Sequence, residues 1–182
     1  MAQSAEPPPR KAQATVPAFS VDLLIGKGHH TRQAGRTYFQ TSAKGYGGFT
    51  ISGRLFGPGR VRPVVQVGYF GKPTGDEVAL CSPDPIGGCR VRFQLPNTQI
   101  GAGLAGAAGR KLVVTALGGW ALVNPRAMGV DAAQTKAPYA GGTVAWQLGQ
   151  HTSVIGDMRH FFWRLDEQPY WARAMSFGLR IQ

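Results

Sequence analysis

The sequence lacks the long hydrophobic runs that mark a membrane-spanning helix. No stretch of its 182 residues approaches the ~18 consecutive apolar residues that such a helix needs. Long segments with the 3.6-residue period of an amphipathic helix are absent as well. Glycine is abundant instead, with 26 residues, and apolar residues alternate with small or polar ones. These features predict an all-β protein.

Charge is scarce too, and acidic charge above all. Charged residues make up 16% of the chain, below the ~25% typical of soluble proteins. Twenty Lys and Arg stand against nine Asp and Glu, which gives a net charge of +11. A basic excess favours anionic partners such as lipopolysaccharide, phospholipid or nucleic acid, although a scattered excess without any partner is the alternative. Because the sequence has no nucleic-acid-binding module, we expect no nucleic-acid partner.

Cysteine is limited to two residues, Cys81 and Cys89, in the segment CSPDPIGGC. The residues between them form turns rather than a helix. We predict a local disulfide, which implies an oxidising compartment; a pair of free thiols is the alternative. With no second ligand pair at zinc-like spacing, neither a metal site nor a cofactor is predicted.

Eight β-rich segments follow one another along the chain. Apolar residues recur at every second position in most of them, as in a strand with one apolar face. Each is near the ~9–11 residues with which a tilted strand crosses a bilayer. The strands are predicted at residues 19–28, 48–57, 61–71, 98–109, 111–123, 141–149, 152–163 and 170–181.

The connections between these strands alternate in length. Tight turns at GPGR, GRK and GQH alternate with longer connections, so that short and long ends lie on opposite sides of a meander. This arrangement is typical of outer-membrane barrels with short periplasmic turns and long outer loops. In lipid, every backbone polar group must be paired, so the first strand must also pair with the last. The fold prediction is an all-β, eight-stranded antiparallel up-and-down transmembrane barrel.

The second face of the strands distinguishes a membrane barrel from a soluble one. Lys and Glu, which would wet the outside of a soluble barrel, are confined to the tail, the loops and the strand ends. Small and polar residues fill the second face instead, and this suits a narrow, filled interior. Its few charges are predicted to form a paired lumen network with a structural role, proton or ion conduction being the alternative: Asp22, Arg54, Arg62, Asp157, Arg159 and Arg180.

The outward faces are predicted to carry an apolar band between two aromatic girdles. In the last strand, Met175, Phe177, Leu179 and Ile181 are predicted to face outward. The fifth strand is ambiguous, because its two faces are about equally apolar. The girdle is predicted to include Phe19, Phe49, Tyr69, Trp120, Trp163, Tyr170 and Trp171.

The chain is divided into two parts. Residues 1–17 are rich in Ala and Pro and are predicted to form a flexible periplasmic tail. Residues 18–182 form the predicted barrel. Met1 is not followed by a charged region and an apolar core, so we expect a mature chain from which a signal peptide has been removed. The tail is either a tether for an unknown protein partner or without function.

Three stretches carry a resemblance to a known family: VRPVVQVGYFG, AGGTVAWQLGQHTSVIGDMRHFFW and SFGLRIQ. Over residues 18–182 the chain resembles small eight-stranded outer-membrane barrels of the opacity-protein and OmpA-like type. The resemblance implies location in the bacterial outer membrane and insertion by the barrel-assembly machinery. The last strand of such barrels commonly ends in an aromatic residue, whereas this chain ends in Gln182 and its last aromatic residue is Phe177.

Some barrels of this shape are lipid A-modifying enzymes, in which a His two residues before a Ser activates that Ser. Here His160 is followed at that spacing by Phe162, and neither Ser153 nor Ser176 has an evident base. We therefore predict a non-catalytic barrel with a structural or surface-interaction role. A lipid A-modifying enzyme and a soluble lipocalin-like ligand-binding barrel are the alternatives.

Basic residues concentrate in the predicted outer loops. Arg pairs with phosphate in a bidentate geometry, so these loops are candidates for binding lipopolysaccharide or another anionic partner. The candidate residues are Arg32, Arg36, Arg90, Arg92, Arg126, Arg164 and Arg173.

Overall fold

The structure, a computed structural model, describes residues 14–34, 37–42, 45–56, 60–71, 74–79, 89–94, 96–124, 134–165 and 168–182. These residues contain no helix that is long and apolar enough to cross a membrane. The strands of the described part are β1 (Phe19–Ala34), β2 (Thr37–Ser42), β3 (Tyr46–Arg54), β4 (Val61–Phe70), β5 (Thr74–Ala79), β6 (Cys89–Gln94), β7 (Thr98–Ala108), β8 (Leu112–Val123), β9 (Thr135–Gln147), β10 (Thr152–Leu165) and β11 (Gln168–Ile181).

Eight of these strands form a closed barrel. Their order around the wall is β1, β3, β4, β7, β8, β9, β10 and β11, and every neighbouring pair is antiparallel. The seam between β1 and β11 closes the barrel, with a register that runs from the pair Val21–Ile181 to the pair Arg32–Tyr170. The closed, up-and-down, eight-stranded fold predicted from the sequence is confirmed.

The short connections lie together at one end of the barrel, here named the turn end. They comprise residues 55–60, 109–111 and 148–151. Gly109, in the second of these turns, has a φ of 80°, which a residue with a side chain rarely adopts. Both the beginning of β1 and the end of β11 lie at the turn end as well.

At the opposite end, here named the ribbon end, five barrel strands extend beyond their predicted bounds: β1, β3, β9, β10 and β11. The second half of β1 pairs with β2, and β5 pairs with β6 as a separate hairpin. β9 begins at Thr135, within a predicted loop, and the predicted connection between the last two strands shortens to residues 166 and 167. Much of what was predicted as loop is therefore paired, because strand pairing satisfies the backbone beyond the barrel wall.

The N-terminal segment folds back across the turn end. Residues 14–17, predicted to belong to the flexible tail, contact the barrel, and Ala14 and Val16 are buried. The Arg54 guanidinium donates a hydrogen bond of 3.0 Å to the Val16 carbonyl oxygen, and the Arg54 backbone N–H donates one of 2.9 Å to the Ala18 carbonyl oxygen. Residues 1–13 lie outside the described part of the chain.

Candidate functional site

The outer wall of the barrel is apolar. On β11, Met175, Phe177, Leu179 and Ile181 are each about half exposed, as predicted, while Ser176 and Arg180 between them are buried. The other barrel strands alternate in the same way, so that large apolar side chains cover the outside. Monomeric soluble proteins rarely expose a contiguous apolar surface of this extent. The wall includes Leu23, Ile25, Ile51, Val65, Val67, Ile100, Leu104, Val114, Trp120, Val144, Trp146, Val154, Met158 and Phe162.

The ambiguous fifth strand, now β8, faces an apolar sector of the interior. Val113, Leu117 and Val123 are buried, whereas Val114 and Trp120 are exposed on the outer wall. Both faces of this strand are therefore apolar for different reasons. Alternation alone could not choose between them, because each face contacts an apolar environment.

Aromatic residues close the interior near the ribbon end. The rings of Trp163 and Tyr170 stack with their centroids 5.9 Å apart, and both side chains are buried. Tyr46 and Phe70 form an edge-to-face pair with centroids 5.5 Å apart. The prediction that Trp163 and Tyr170 belong to the outer girdle is wrong, because β10 and β11 present these positions to the lumen.

The first charged cluster of the lumen lies on the seam between β1 and β11. Arg180 donates two hydrogen bonds to the Asp22 carboxylate, at 2.6 Å to Oδ1 and 2.9 Å to Oδ2. Thr50 on β3 donates a third, at 2.9 Å to Oδ2. Asp22 and Arg180 are both buried, and a buried charge is tolerated when it is paired and hydrogen-bonded in this way.

The second cluster is built around Arg159 on β10, which is 1% exposed. Its guanidinium donates to both oxygens of Asp157, at 3.0–3.2 Å. It also donates to Gln66 Oε1 at 2.7 Å and to Gln99 Oε1. The rings of Phe70 and Tyr139 lie against it, with centroids 5.2 and 5.6 Å from Cζ, within the range of a cation–π contact.

Gln66 joins the two clusters into one network. Its carbonyl oxygen accepts the bond from Arg159, and its amide nitrogen donates to Thr50 Oγ1 at 3.3 Å and to Ser52 Oγ at 2.9 Å. Because Thr50 donates to Asp22 in turn, hydrogen bonds cross the lumen from β10 to β1. Such a network holds opposite walls at a fixed distance.

The remaining two lumen candidates lie near the turn end. Arg54 and Arg62 are partly exposed, and Arg54 contacts the N-terminal segment rather than a carboxylate. A cavity of about 20 Å³ remains beside Val16 and Arg54, enough for one water molecule. Around Arg159, between Phe70 and Phe161, no space for a water remains. Among the described residues, the lumen is therefore filled at the level of Arg159.

The predicted anion-binding residues are only partly described. Arg164 and Arg173 are exposed on the outer wall. Arg90 and Arg92 occupy alternate positions of β6, and Arg32 lies in β1; the side chains of these three are not described. Arg36 and Arg126 lie outside the described residues, as does Cys81 of the predicted disulfide, and of Cys89 only the backbone is described. The disulfide therefore stays a prediction.

One group of side chains on the outer wall did not follow from the sequence patterns. His29 of β1 and His160 of β10 both lie directly opposite Arg173 of β11. All three occupy outward positions, and Lys27 stands one outward position nearer the turn end on β1. His29 lies just beyond the first predicted strand, residues 19–28, and hence in a predicted loop. The signal that could have found the group is the antiparallel pairing of the first strand with the last.

Comparisons with known proteins show a likeness of fold. No family model matches the chain, and no curated protein matches it. The solved structure of Ail, the attachment invasion locus protein of Yersinia pestis, in complex with the heparin analogue sucrose octasulfate, has a TM-score of 0.50 at 10% identity, over 91% of this chain and 100% of that one.

Two further solved structures are similar at lower scores. Ail of Yersinia pestis by itself has a TM-score of 0.47 at 10% identity, over 91% of this chain and all of its own. Neisserial surface protein A has a TM-score of 0.49 at 11% identity, over 91% of this chain and 97% of its own. The closed antiparallel barrel and the likeness to the Ail complex together show that this chain has the fold of the small eight-stranded outer-membrane barrels.

Proposed function

We propose that this protein is a non-catalytic barrel of the bacterial outer membrane that contacts anionic partners at the cell surface. The observation that carries the membrane placement is the outer wall, where Leu23, Val67, Ile100 and Phe177 are each more than half exposed. Lipid solvates such a wall, whereas water does not. The ribbon end then faces outward and the turn end faces the periplasm, as in other barrels with short periplasmic turns.

The absence of catalysis is supported by the geometry around His160. A nucleophilic Ser must lie within hydrogen-bond reach of its base. His160 occupies an outward position, whereas Ser153 and Ser176 are buried in the lumen on the other side of the wall. The residue at the spacing of a nucleophile, Phe162, is half exposed and has no reactive group. These positions favour a binding role over lipid A modification.

The positive charge of the chain supports an anionic partner. The chain carries a net charge of +11. Arg90 and Arg92 lie two residues apart on β6, at the ribbon end, and closely spaced arginines suit sulfate or phosphate groups. The solved Ail structure with a similar fold holds a sulfated heparin analogue. We therefore propose a sulfated or phosphorylated polyanion as the surface ligand.

Membrane placement is tested by fractionation and gel mobility. We expect the protein in the outer-membrane fraction and expect unheated and boiled samples to migrate differently, because a closed barrel resists detergent until it is boiled. The refolded chain should stay soluble only in detergent or lipid. A soluble protein without a mobility shift would contradict the membrane placement and favour the lipocalin-like alternative.

Polyanion binding is tested with heparin as the probe, on the full chain in detergent micelles. We expect Arg90→Gln with Arg92→Gln to raise the dissociation constant roughly tenfold, because each lost charge-assisted hydrogen bond contributes about 1.5–3 kcal/mol before solvent screening. Arg110→Gln with Lys111→Gln, in a turn at the opposite end, removes the same charge and is the matched control. If both double variants weakened heparin binding equally, the cause would be the lower net charge of the chain. That result would overturn a ligand site at the ribbon end.

The filled lumen predicts a barrel without a channel. In planar lipid bilayers we expect no conductance steps above those of the lipid alone, because the network around Arg159 leaves no room for water. The same preparation must show the mobility shift of a closed barrel, which proves that folded protein was tested. Discrete, reproducible conductance steps would instead support the ion-conduction interpretation of the lumen charges.

A further inference from the structure

We propose that residues 14–17 form a releasable strap across the turn end, and that this strap keeps water away from the ion pair between Asp22 and Arg180. When the strap leaves, water enters the lower lumen, which is the interior between the turn end and Arg159. The strap goes beyond the proposed function, because it acts on the interior of the barrel and at the end opposite the surface ligand.

The strap crosses the mouth of the barrel from one wall to the other. Pro17 has no N–H with which to extend the ladder of β1, and the pairing of β1 with β3 begins two residues later. From β3, the Arg54 guanidinium donates a hydrogen bond of 3.0 Å to the Val16 carbonyl oxygen. From β9, the Gln147 side-chain amide donates one of 3.4 Å to the Thr15 carbonyl oxygen. Because β3 and β9 lie four strands apart in the closed order of eight, these two contacts come from opposite sides of the mouth.

Alternate side chains of the strap are buried. Ala14 and Val16 are each 4% exposed, whereas Thr15 between them is exposed. Val16 and Pro17 line the cavity of about 20 Å³, and Arg180 of β11 lines the same cavity. Space for one water molecule therefore lies between the strap and the ion pair.

The ion pair lies close to the mouth, and yet it is dry. Asp22 is three residues beyond the first residue of β1, which is about 8 Å of height at ~3.3 Å per residue and a tilt of ~40°. Ser20, one inward position nearer the mouth, is still only 2% exposed, and Asp22 is 0% exposed. The residues that line the cavity beside Ser20 come from the wall strands and from the strap, and none comes from the three turns. The strap thus supplies the cover on this side.

The strap can leave without opening the wall. The wall strands are joined by ladders of paired residues, whereas the hydrogen bonds from Arg54 and Gln147 to the strap come from side chains. Such bonds break without disturbing a ladder. Water that enters would weaken the attraction between Asp22 and Arg180, because it raises the effective dielectric constant around them. It would stop at Arg159, where no space for water remains, so release of the strap opens no channel.

Access to the lower lumen is measured as thiol modification of Ser20→Cys, on the full chain in detergent micelles and with Cys81→Ala and Cys89→Ala. The probe is a small anionic methanethiosulfonate, and mass spectrometry follows the rate. We expect slow modification while the strap is in place, because Ser20 is buried in the cavity lining. Val16→Lys places a further cation beside Arg54 in that lining. We expect it to release the strap and to raise the rate at least about tenfold, because an unpaired buried charge is costly.

Thr15→Lys is the matched control for Val16→Lys. It adds the same charge one residue away, at an exposed position, and therefore attracts the anionic reagent to a similar degree. We expect the rate at Ser20→Cys to stay within roughly twofold of the original, as for other surface substitutions. Equal acceleration by both lysines would overturn the strap, since attraction of the reagent would then explain the effect.

A second reporter distinguishes release of the strap from loosening of the whole barrel. Ala172 is 2% exposed and pairs with Phe161, on the ribbon side of Arg159. We expect Val16→Lys to leave the modification rate of Ala172→Cys unchanged and the mobility shift intact. Acceleration at both reporters in a protein that keeps its shift would overturn a strap that acts on the lower lumen alone.

A milder variant tests the strap without a buried charge. Gln147→Met removes the donor to the Thr15 carbonyl oxygen, and Gln147 is not among the residues that line the cavity. We expect the rate at Ser20→Cys to rise about threefold, in keeping with the loss of one neutral hydrogen bond. Gln150→Met, in a turn at the same end, is its matched control and should leave the rate unchanged. If neither Val16→Lys nor Gln147→Met accelerated modification beyond its control, residues 14–17 would not be what excludes water.

Discussion

Replacing Arg159 with methionine is expected to destabilise the folded barrel by about 3–5 kcal/mol. The methionine cannot donate the hydrogen bonds that Arg159 makes to Asp157, Gln66 and Gln99. Asp157 would stay buried without its cation, and an uncompensated buried carboxylate is costly. Urea unfolding in lipid vesicles, followed by tryptophan fluorescence and by the mobility shift, measures the change.

Two further variants test whether the destabilisation comes from the Arg159–Asp157 ion pair or from the loss of a positive charge in general. Arg164→Met removes an exposed arginine of the same strand and should change the free energy of unfolding by less than about 1 kcal/mol. The double variant Asp157→Asn/Arg159→Met should be less destabilised than Arg159→Met alone, because the carboxylate that lost its cation is removed as well. If the double variant were as unstable as Arg159→Met or worse, the ion pair would not be the cause.

Replacing Gly178 with valine is expected to prevent closure of the barrel. Gly178 lies on β11 at the seam, opposite Leu24 of β1. A Cβ at this position would overlap the backbone carbonyl oxygen of Leu23, so β1 itself would have to move away. Overpacking against side chains costs about 1–3 kcal/mol, and displaced seam pairs add to that cost. We expect most of the protein to lose its mobility shift.

Gly156→Ala is the matched control for the Gly178→Val variant at the seam. Gly156 lies on the adjacent strand β10, and a Cβ there contacts nothing within 4 Å. We expect the control to keep the full mobility shift and the unfolding midpoint of the original protein. A Gly178→Val variant that refolds as well as this control would show that the seam tolerates a side chain at that position.

The eight strands were predictable because they depend on local pattern, and their closure followed because every backbone polar group must be paired in lipid. Alternation specifies a strand, and the sorting of short and long connections specifies an up-and-down meander. The outward face of β11 followed from the same alternation, as Phe177 and Leu179 illustrate. Nothing about these features requires the register between distant strands.

What could not be predicted depends on register or on the contents of the lumen. Trp163 and Tyr170 were assigned outward because aromatics gather at strand ends, yet the interior of a barrel also accepts rings near its mouth. The sequence predicted that the first strand pairs with the last but not their register, and the register is what places His29 beside Arg173. The β1–β2 extension and the β5–β6 pair were predicted as loops, because strand pairing beyond the wall needs only backbone groups and leaves no side-chain pattern to find.

The Arg159 network bears on the order in which this protein assembles. Its bonds run from β10 to Gln66 on β4 and Gln99 on β7, so they require strands from opposite walls to face each other. In a sheet still open between β1 and β11, Arg159 keeps Asp157, its neighbour on the same strand, but Gln66 and Gln99 stand on strands that do not yet face it. The full set of hydrogen bonds around Arg159 therefore forms only when the barrel closes, so closure and the completion of the network are one event.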